Sequence, residues 1–482
     1  MKNLMDSDMK WYGGVGIILF FLIIREAILL PLTHDEYSTI AVSFQPFWDI
    51  VTYKDPIPNN HILNTLLLKC NIIIFGDHLF SNRLHNVLSF LPYFIYSVLI
   101  ARQISKDIVL NMLFVLMVNF QPYVLDFFCV TRGYGLSIAF QMASLYHAIR
   151  YISNDNSKDY FFALLLAAIG VIANFTLLNY YLPLFGLLIF YSLKHSGFQF
   201  HLSFKKELAM GMGISLILGL FCILPISKMV NTNQFVFWSS NNFFNDTIIP
   251  LFNALRVGVF YFKWSNTIYA SVFLAVVVGL MIFVGYFLKN KLKENKYVMF
   301  SSALLLLVII YNNLQFYILK VPFLNARTSL FFVPLVALFI YTLVIMESEN
   351  LKYAAKGIAF SIMLLCSIHL LRGYNGRVNY EWYFNQNTYE VLDEIIFLIH
   401  SNNLPTPVTL DCHWFYHPSL TYHINNKYRG IIELAPYHKE TNQNSTSTYY
   451  YSEPNEVDSL SKNYIKIKEF SGTYSILWQK KQ

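Results

Sequence analysis

Residues 11–37 read WYGGVGIILFFLIIREAILLPLTHDEY, and this stretch decides the fold. The run from Trp11 to Leu32 is almost wholly apolar. It is long enough to cross a bilayer, which takes roughly 20 helical residues. It exceeds the hydrophobic region of a secretory signal, and no small-x-small cleavage site follows, so it reads as an uncleaved first span. Where the span ends, Asp35 and Glu36 sit side by side at the interface. Ionisable groups so close to a span usually have a function.

The same kind of segment recurs along the chain. Candidate spans are Trp11–Leu32, Asn86–Gln103, Ile108–Phe127, Tyr134–Tyr151, Tyr160–Leu177, Leu178–Leu193, Leu208–Ser227, Thr267–Leu288, Tyr297–Tyr317, Thr328–Met346 and Tyr353–Leu371, about eleven in all. Of the 482 residues 55% are hydrophobic and 13% charged, and the mean hydropathy is +0.43. A soluble domain carries about 25% charged residues. The surplus of apolar surface therefore faces lipid or neighbouring spans, and a soluble enzyme is excluded. The net charge of +7 reports topology rather than nucleic-acid binding, because the cations cluster in short loops. Arg102 and Lys106, Arg150 and Lys158, Lys194, Lys205 and Lys206, Lys289 to Lys296, and Lys352 and Lys356 all fall on one side if the N-terminus is cytoplasmic. That satisfies the positive-inside rule repeatedly. The C-terminus then ends outside the cytoplasm. The five cysteines are scattered and show neither CxxC nor zinc-ligand spacing.

From Gly373 the composition changes. Tyr389–His400 reads as an amphipathic helix, and Val408–Asp411, Ile431–Leu434, Tyr464–Phe470 and Thr473–Trp478 read as strands. The expected architecture is an α-helical polytopic membrane domain over 1–372, with a functional first outer loop at about 32–85. A small extracytoplasmic α/β domain follows over 373–482. Within the loop, Ile62–Phe75 is apolar but short for a span, and it suits a helix lying in the interface.

Several motifs carry chemistry. They are the acidic pair Asp35-Glu36, the Pro- and Asn/His-bearing segment Pro56-Ile-Pro-Asn-Asn-His61, a Phe75-Gly76 turn, and Arg83-Leu84 opening the second span. Farther on stand Asp126-Phe-Phe-Cys-Val-Thr-Arg132-Gly133-Tyr134 and Asn325-Ala-Arg327-Thr328 before a Pro334-bearing helix. This constellation resembles the GT-C superfamily of membrane glycosyltransferases. It is similar in pattern to protein O-mannosyltransferases and the lipid A aminoarabinose transferases of bacteria. The resemblance covers about residues 10–370 and departs at Arg327, where the family shows Arg-Tyr and this chain has Thr328.

The resemblance implies an inverting hexosyl- or pentosyltransferase. The donor is a polyprenyl-phosphate-linked sugar, and the acceptor is a glycan, lipid or protein on the extracytoplasmic side. It makes Asp35 the general base, with Glu36 beside it. The residues agree with that chemistry. A carboxylate can take the acceptor proton, and the guanidinium groups of Arg132 and Arg327 can grip a donor phosphate in a fork. Asp126 is the candidate second acid, either orienting the acceptor or holding a divalent cation (Mg or Mn) with Glu36. No cofactor is otherwise implied, and the histidines show no metal-ligand spacing. His34, His61, Arg83 and Tyr134 are candidates for contacts to substrate and lipid. Asp411, His413, Trp414 and His417 read as structural. The expected setting is the inner membrane of a bacterium. The rival readings are a flippase or transporter of lipid-linked sugars, which should show deeper charges or repeat symmetry, a lipid-linked oligosaccharide polymerase or ligase, and a non-catalytic scaffold.

Overall fold

The computed structural model describes residues 2–199, 201–234, 241–256, 295–345, 352–442 and 444–481, with isolated positions between 265 and 271. Most of the expected span Thr267–Leu288, and the cations Lys289, Lys291 and Lys293 after it, lie outside the described residues.

In chain order the helices are α1 (Lys2–Leu29), α2 (His34–Ser43), α3 (Phe47–Val51), α4 (Ile62–Phe75), α5 (Leu79–Ile104), α6 (Ile108–Asn119), α7 (Pro122–Asp126), α8 (Gly133–Asn154), α9 (Ser157–Ala173), α10 (Leu178–His195), α11 (Leu202–Asn231) and α12 (Ile249–Arg256). They continue with α13 (Lys296–Leu319), α14 (Phe332–Ile345), α15 (Lys352–Gly373), α16 (Thr388–Ser401) and α17 (His417–His423). By length and composition six described helical stretches can cross a membrane, and α4, α6 and α14 are shorter apolar helices. The expected span Ile108–Phe127 is instead two helices. Pro122 offers no N–H and holds Gln121 extended at φ −117°, ψ 100°, so α6 stops and α7 begins anew.

The chain forms two compact units, residues 1–24 with 45–374 and residues 25–44 with 375–482. The segment 25–44 thus groups with the C-terminal residues, whereas the composition change alone suggests a boundary at 373.

In the first unit, α8 packs against α5 and α9, α9 also meets α10 and α11, and α6 meets α5, α14 and α15. Small residues let these backbones approach, since lipid tails supply no hydrophobic drive between helices. A Cβ at Gly170 would lie 3.2 Å from the Ser137 carbonyl oxygen, and the Ser137 hydroxyl donates to the Gly170 carbonyl at 3.0 Å. One end of the bundle is tied by polar links. Buried Glu207 accepts hydrogen bonds from Tyr151 at 2.8 Å, Ser157 at 2.7 Å and Ser192 at 2.5 Å, joining the end of α8, the start of α9, the end of α10 and the start of α11. Lys296 donates to the Ser153 carbonyl at 3.2 Å, and Lys356 pairs with Asp107 at 2.6 Å. The cationic loops around Arg150, Lys158, Lys194, Lys205 and Lys296 therefore converge on the same end.

The second unit carries a five-stranded sheet of order β2-β1-β3-β5-β4, with β1 Val408–Cys412, β2 Ile432–Leu434, β3 Tyr449–Ser452, β4 Tyr464–Glu469 and β5 Ile476–Lys480. β1 runs parallel to β2 and β3, and β5 is antiparallel to β3 and β4. The buried residues Val391, Leu392, Ile395 and Ile399 recur at helical spacing along α16 and join the core against β1 and β3. The amphipathic reading of Tyr389–His400 corresponds to this helix. The central strand β3 has no counterpart among the expected strands. Its Tyr-Tyr-Tyr-Ser is buried on both faces, so it shows none of the alternation that marks a half-exposed strand.

Candidate functional site

Candidate residues occur in both units. In the second unit, α2 begins with a reciprocal cap. The Thr33 side chain accepts from the Glu36 N–H at 3.3 Å, and the Glu36 carboxylate accepts from the Thr33 N–H at 2.9 Å. Glu36 is fully buried and Asp35 half-buried. The two acids therefore differ in surroundings: Glu36 is spent on closing the helix start, and Asp35 occupies the second helical position, where the helix end favours negative charge. Three bonds from residues far along the chain hold this entry. The Leu32 N–H donates to His423 Nε2 at 3.1 Å, the His34 N–H to Asn385 Oδ1 at 3.0 Å, and His34 Nδ1 lies 3.2 Å from the Phe415 carbonyl oxygen. The His34 ring is edge-on to Trp414 at 5.5 Å. His34 thus anchors α2 to the segment after β1.

In the first unit, Arg132 is 2% exposed and stands at the N-cap of α8. Its guanidinium donates to Asn59 Oδ1 at 3.0 Å and to the Asn59 carbonyl at 3.4 Å. Next to it the His61 ring meets Tyr134 edge-on at 5.4 Å. Asn64 donates to the Thr131 carbonyl at 3.3 Å, and its Oδ1 lies 2.9 Å from His85 Nε2 and accepts from Asn86 at 2.8 Å. The segment is fixed from behind by Asn60, which donates to the Ile50 carbonyl at 2.9 Å, and by the Tyr53 hydroxyl, which donates to the Asn60 carbonyl. Gly133 is required here. A Cβ would strike the Ala173 carbonyl oxygen and come within 2.9 Å of the His61 Cβ. The candidates His61, Arg132 and Tyr134 are brought together at the end of the bundle opposite Glu207. Arg83 is wholly buried on α5, two residues before His85.

Asp126 is buried on α7. Arg327 lies on the 3-10 turn Ala326–Ser329, half-buried. Thr328, the departure from the family pattern, closes that turn: its hydroxyl accepts from the Asn325 N–H at 2.7 Å. Helix α12 packs on both α7 and this turn, and it ends in buried Arg256, a cation that no motif in the sequence marks. No motif marks Asn64 either, whereas Asn59 stands in the Pro56–His61 motif. Among the described residues no three or more His, Cys, Asp or Glu are gathered as metal ligands.

Asp411 is buried at the end of β1 and is consumed internally. It lies 2.7 Å from His438 Nε2 and accepts from the Cys412 N–H at 2.8 Å and Asn442 at 3.3 Å. It pins the loop between β2 and β3, which agrees with a structural role. Nearby, burial pushes the Cys412 thiol well above the ordinary thiol range.

The fold and these clusters define a class: a multi-pass helical membrane protein bearing a small α/β unit. No protein-family model and no curated protein sequence matches the chain. Two solved structures of ArnT from Cupriavidus metallidurans are similar to it. One is bound to undecaprenyl phosphate and covers 98% of this chain and 97% of its own; the other is in the apo state and covers 98% of each. Both have a TM-score of 0.49 and 9% sequence identity to this chain.

Proposed function

We propose that the chain is a GT-C-type glycosyltransferase that moves a sugar from a polyprenyl-phosphate donor to an acceptor on the extracytoplasmic side. The observation that carries this reading is Arg132, buried at the N-terminus of α8 and held in a fork by Asn59. A buried guanidinium in a lipid-facing bundle is costly and marks a functional position. Beside a helix N-terminus it suits a phosphate. His61 and Tyr134 stand beside it to contact the donor. Arg327 offers a second cation at the same end of the bundle, and Arg83 and Asp126 add polar support.

In the reaction the acceptor hydroxyl or amine attacks the anomeric carbon, its proton passes to the Asp35 carboxylate, and the bond from that carbon to the phosphate oxygen breaks. The leaving group is polyprenyl phosphate, and in-line displacement inverts the anomeric centre. Glu36 fixes the helix on which Asp35 sits. A carboxylate and phosphate-binding cations suffice for this transfer.

The test is mass spectrometry of the lipids that co-purify in mild detergent. A polyprenyl phosphate or its glycosyl ester is expected, and only bulk phospholipid from repeated preparations would overturn the reading. The side of the membrane is tested separately. Alkaline phosphatase fused after Leu371 should be active, because the enzyme matures only outside the cytoplasm. A silent fusion of normal abundance would place the C-terminal unit inside.

A further inference from the structure

The second unit holds a cleft of about 480 Å³ that the transfer chemistry does not use. It lies between the edge strand β2 and α17 with the turn that follows it. His417, Thr421 and Asn425 line one wall at intervals of four residues, Arg429 closes one end, and Glu433 projects from β2. Ile424 and Ile432 form a buried apolar floor. Among the described residues none hydrogen-bonds the side chains of Asn425, Arg429 or Glu433, all of which are exposed. Burial pushes the His417 imidazole below its ordinary range, so near neutral pH this wall carries no charge of its own.

Two ligand chemistries fit an edge-strand cleft, and the structure separates them. A peptide added to β2 would need a continuous row of free backbone groups. Here the row is short and interrupted. β2 has only three residues, the Ala435 carbonyl beyond it faces His417 Nε2 at 3.0 Å, and Pro436 has no N–H. Blunted edges of this kind resist strand addition. A carbohydrate needs something else: planar amide, guanidinium and carboxylate groups that each bind neighbouring hydroxyls, over an apolar patch for the C–H face of the ring. Asn425, Arg429 and Glu433 supply the first, and the more exposed lining residues Leu434 and Pro436, over the Ile424 and Ile432 floor, the second. Tyr437, half-exposed at the rim with its ring 5.5 Å from His417, offers an aromatic face.

We infer that this cleft is a carbohydrate-binding site with room for an oligosaccharide. Resting on the transferase reading above, the bound carbohydrate is the acceptor glycan. The side chains of opposite sign, Arg429 and Glu433, favour a neutral or zwitterionic sugar over a strongly acidic one.

The experiment uses the full chain in nanodiscs on an array of defined bacterial and eukaryotic oligosaccharides, with saturation-transfer NMR on any hit. The wild-type protein should bind a subset of neutral oligosaccharides. Arg429→Ala and Asn425→Ala should each weaken that binding by about tenfold or more, the scale of a lost hydrogen bond to a charged or amide group. Glu433→Gln, nearly isosteric, should shift which sugars bind. These residues are exposed, so unchanged melting of the variants confirms that folding is intact. Asp35→Asn should bind the same glycans as wild type, which separates this site from the transfer step. Glycan binding by a chain that transfers no sugar would leave the cleft standing and remove only its assignment to the acceptor. The inference is overturned if no oligosaccharide binds, if binding survives both alanine variants, or if the cleft instead captures peptides.

Discussion

Asp35→Asn is expected to reduce sugar transfer by about two to four orders of magnitude, the usual worth of a positioned general base. The substitution keeps the size of the side chain and removes its ability to take a proton. Asp35 sits second in α2, whose start is closed by the Thr33–Glu36 cap and by bonds from His423 and Asn385. Asparagine keeps the shape of the side chain and leaves those bonds in place, so the fold should survive. Glu36→Gln tests the complementary statement. The Glu36 carboxylate accepts the Thr33 N–H, a bond that an amide oxygen can still accept. The loss should therefore appear as a slight fall in stability, about 1 kcal/mol or less on the scale of helix caps, with turnover largely kept. The assay is glycan transfer in membranes at matched protein levels, with melting recorded in parallel. Near-normal turnover of the Asp35→Asn protein ends the proposed mechanism. A larger loss of turnover at Glu36 reverses the assignment of the base.

Arg132→Lys should lower the affinity for polyprenyl phosphate by about tenfold to a hundredfold, the scale of a lost hydrogen bond to a charged group. Lysine keeps the charge but presents a single point donor in place of the planar fork that holds Asn59 and suits a phosphate. Arg132→Ala is a harsher change. It leaves Asn59 Oδ1 without its guanidinium partner in a buried cluster, so stability should fall as well. The measurement is the amount of polyprenyl phosphate retained per mole of protein, alongside melting. Equal retention by the wild type and Arg132→Lys would mean that Arg132 serves only to fix the 59–64 segment onto α8. Loss of stability without loss of lipid in Arg132→Ala would point the same way.

Much of the fold was legible because its signals are local. A run such as Trp11–Leu32 is apolar whatever it packs against. Helix α4 therefore has the bounds Ile62–Phe75 expected for the short apolar helix of the loop, and α16 follows the amphipathic spacing of Tyr389–His400. The break at Pro122 was written in the chain too, but a span-length window averaged over it. Strand β3 escaped because a strand buried on both faces gives no alternation to read. Glu36 and Asp35 look alike in the sequence, and only the tertiary structure shows that Glu36 closes the helix start while Asp35 takes no part in that cap.

The sequence by itself determined that this is a multi-pass helical protein with a small α/β unit, and it marked the acidic pair and Arg132 as the residues to examine. The tertiary structure decided which residues surround them. It assigned the segment 25–44 to the C-terminal unit through bonds that join Leu32 to His423 and His34 to Asn385. It also gave Arg132 its partner Asn59, and α7 its neighbour α12 with buried Arg256. Hydropathy and periodicity are properties of neighbouring residues and survive in a linear reading. A hydrogen bond between positions hundreds of residues apart depends on how the helices pack, and no local pattern records it.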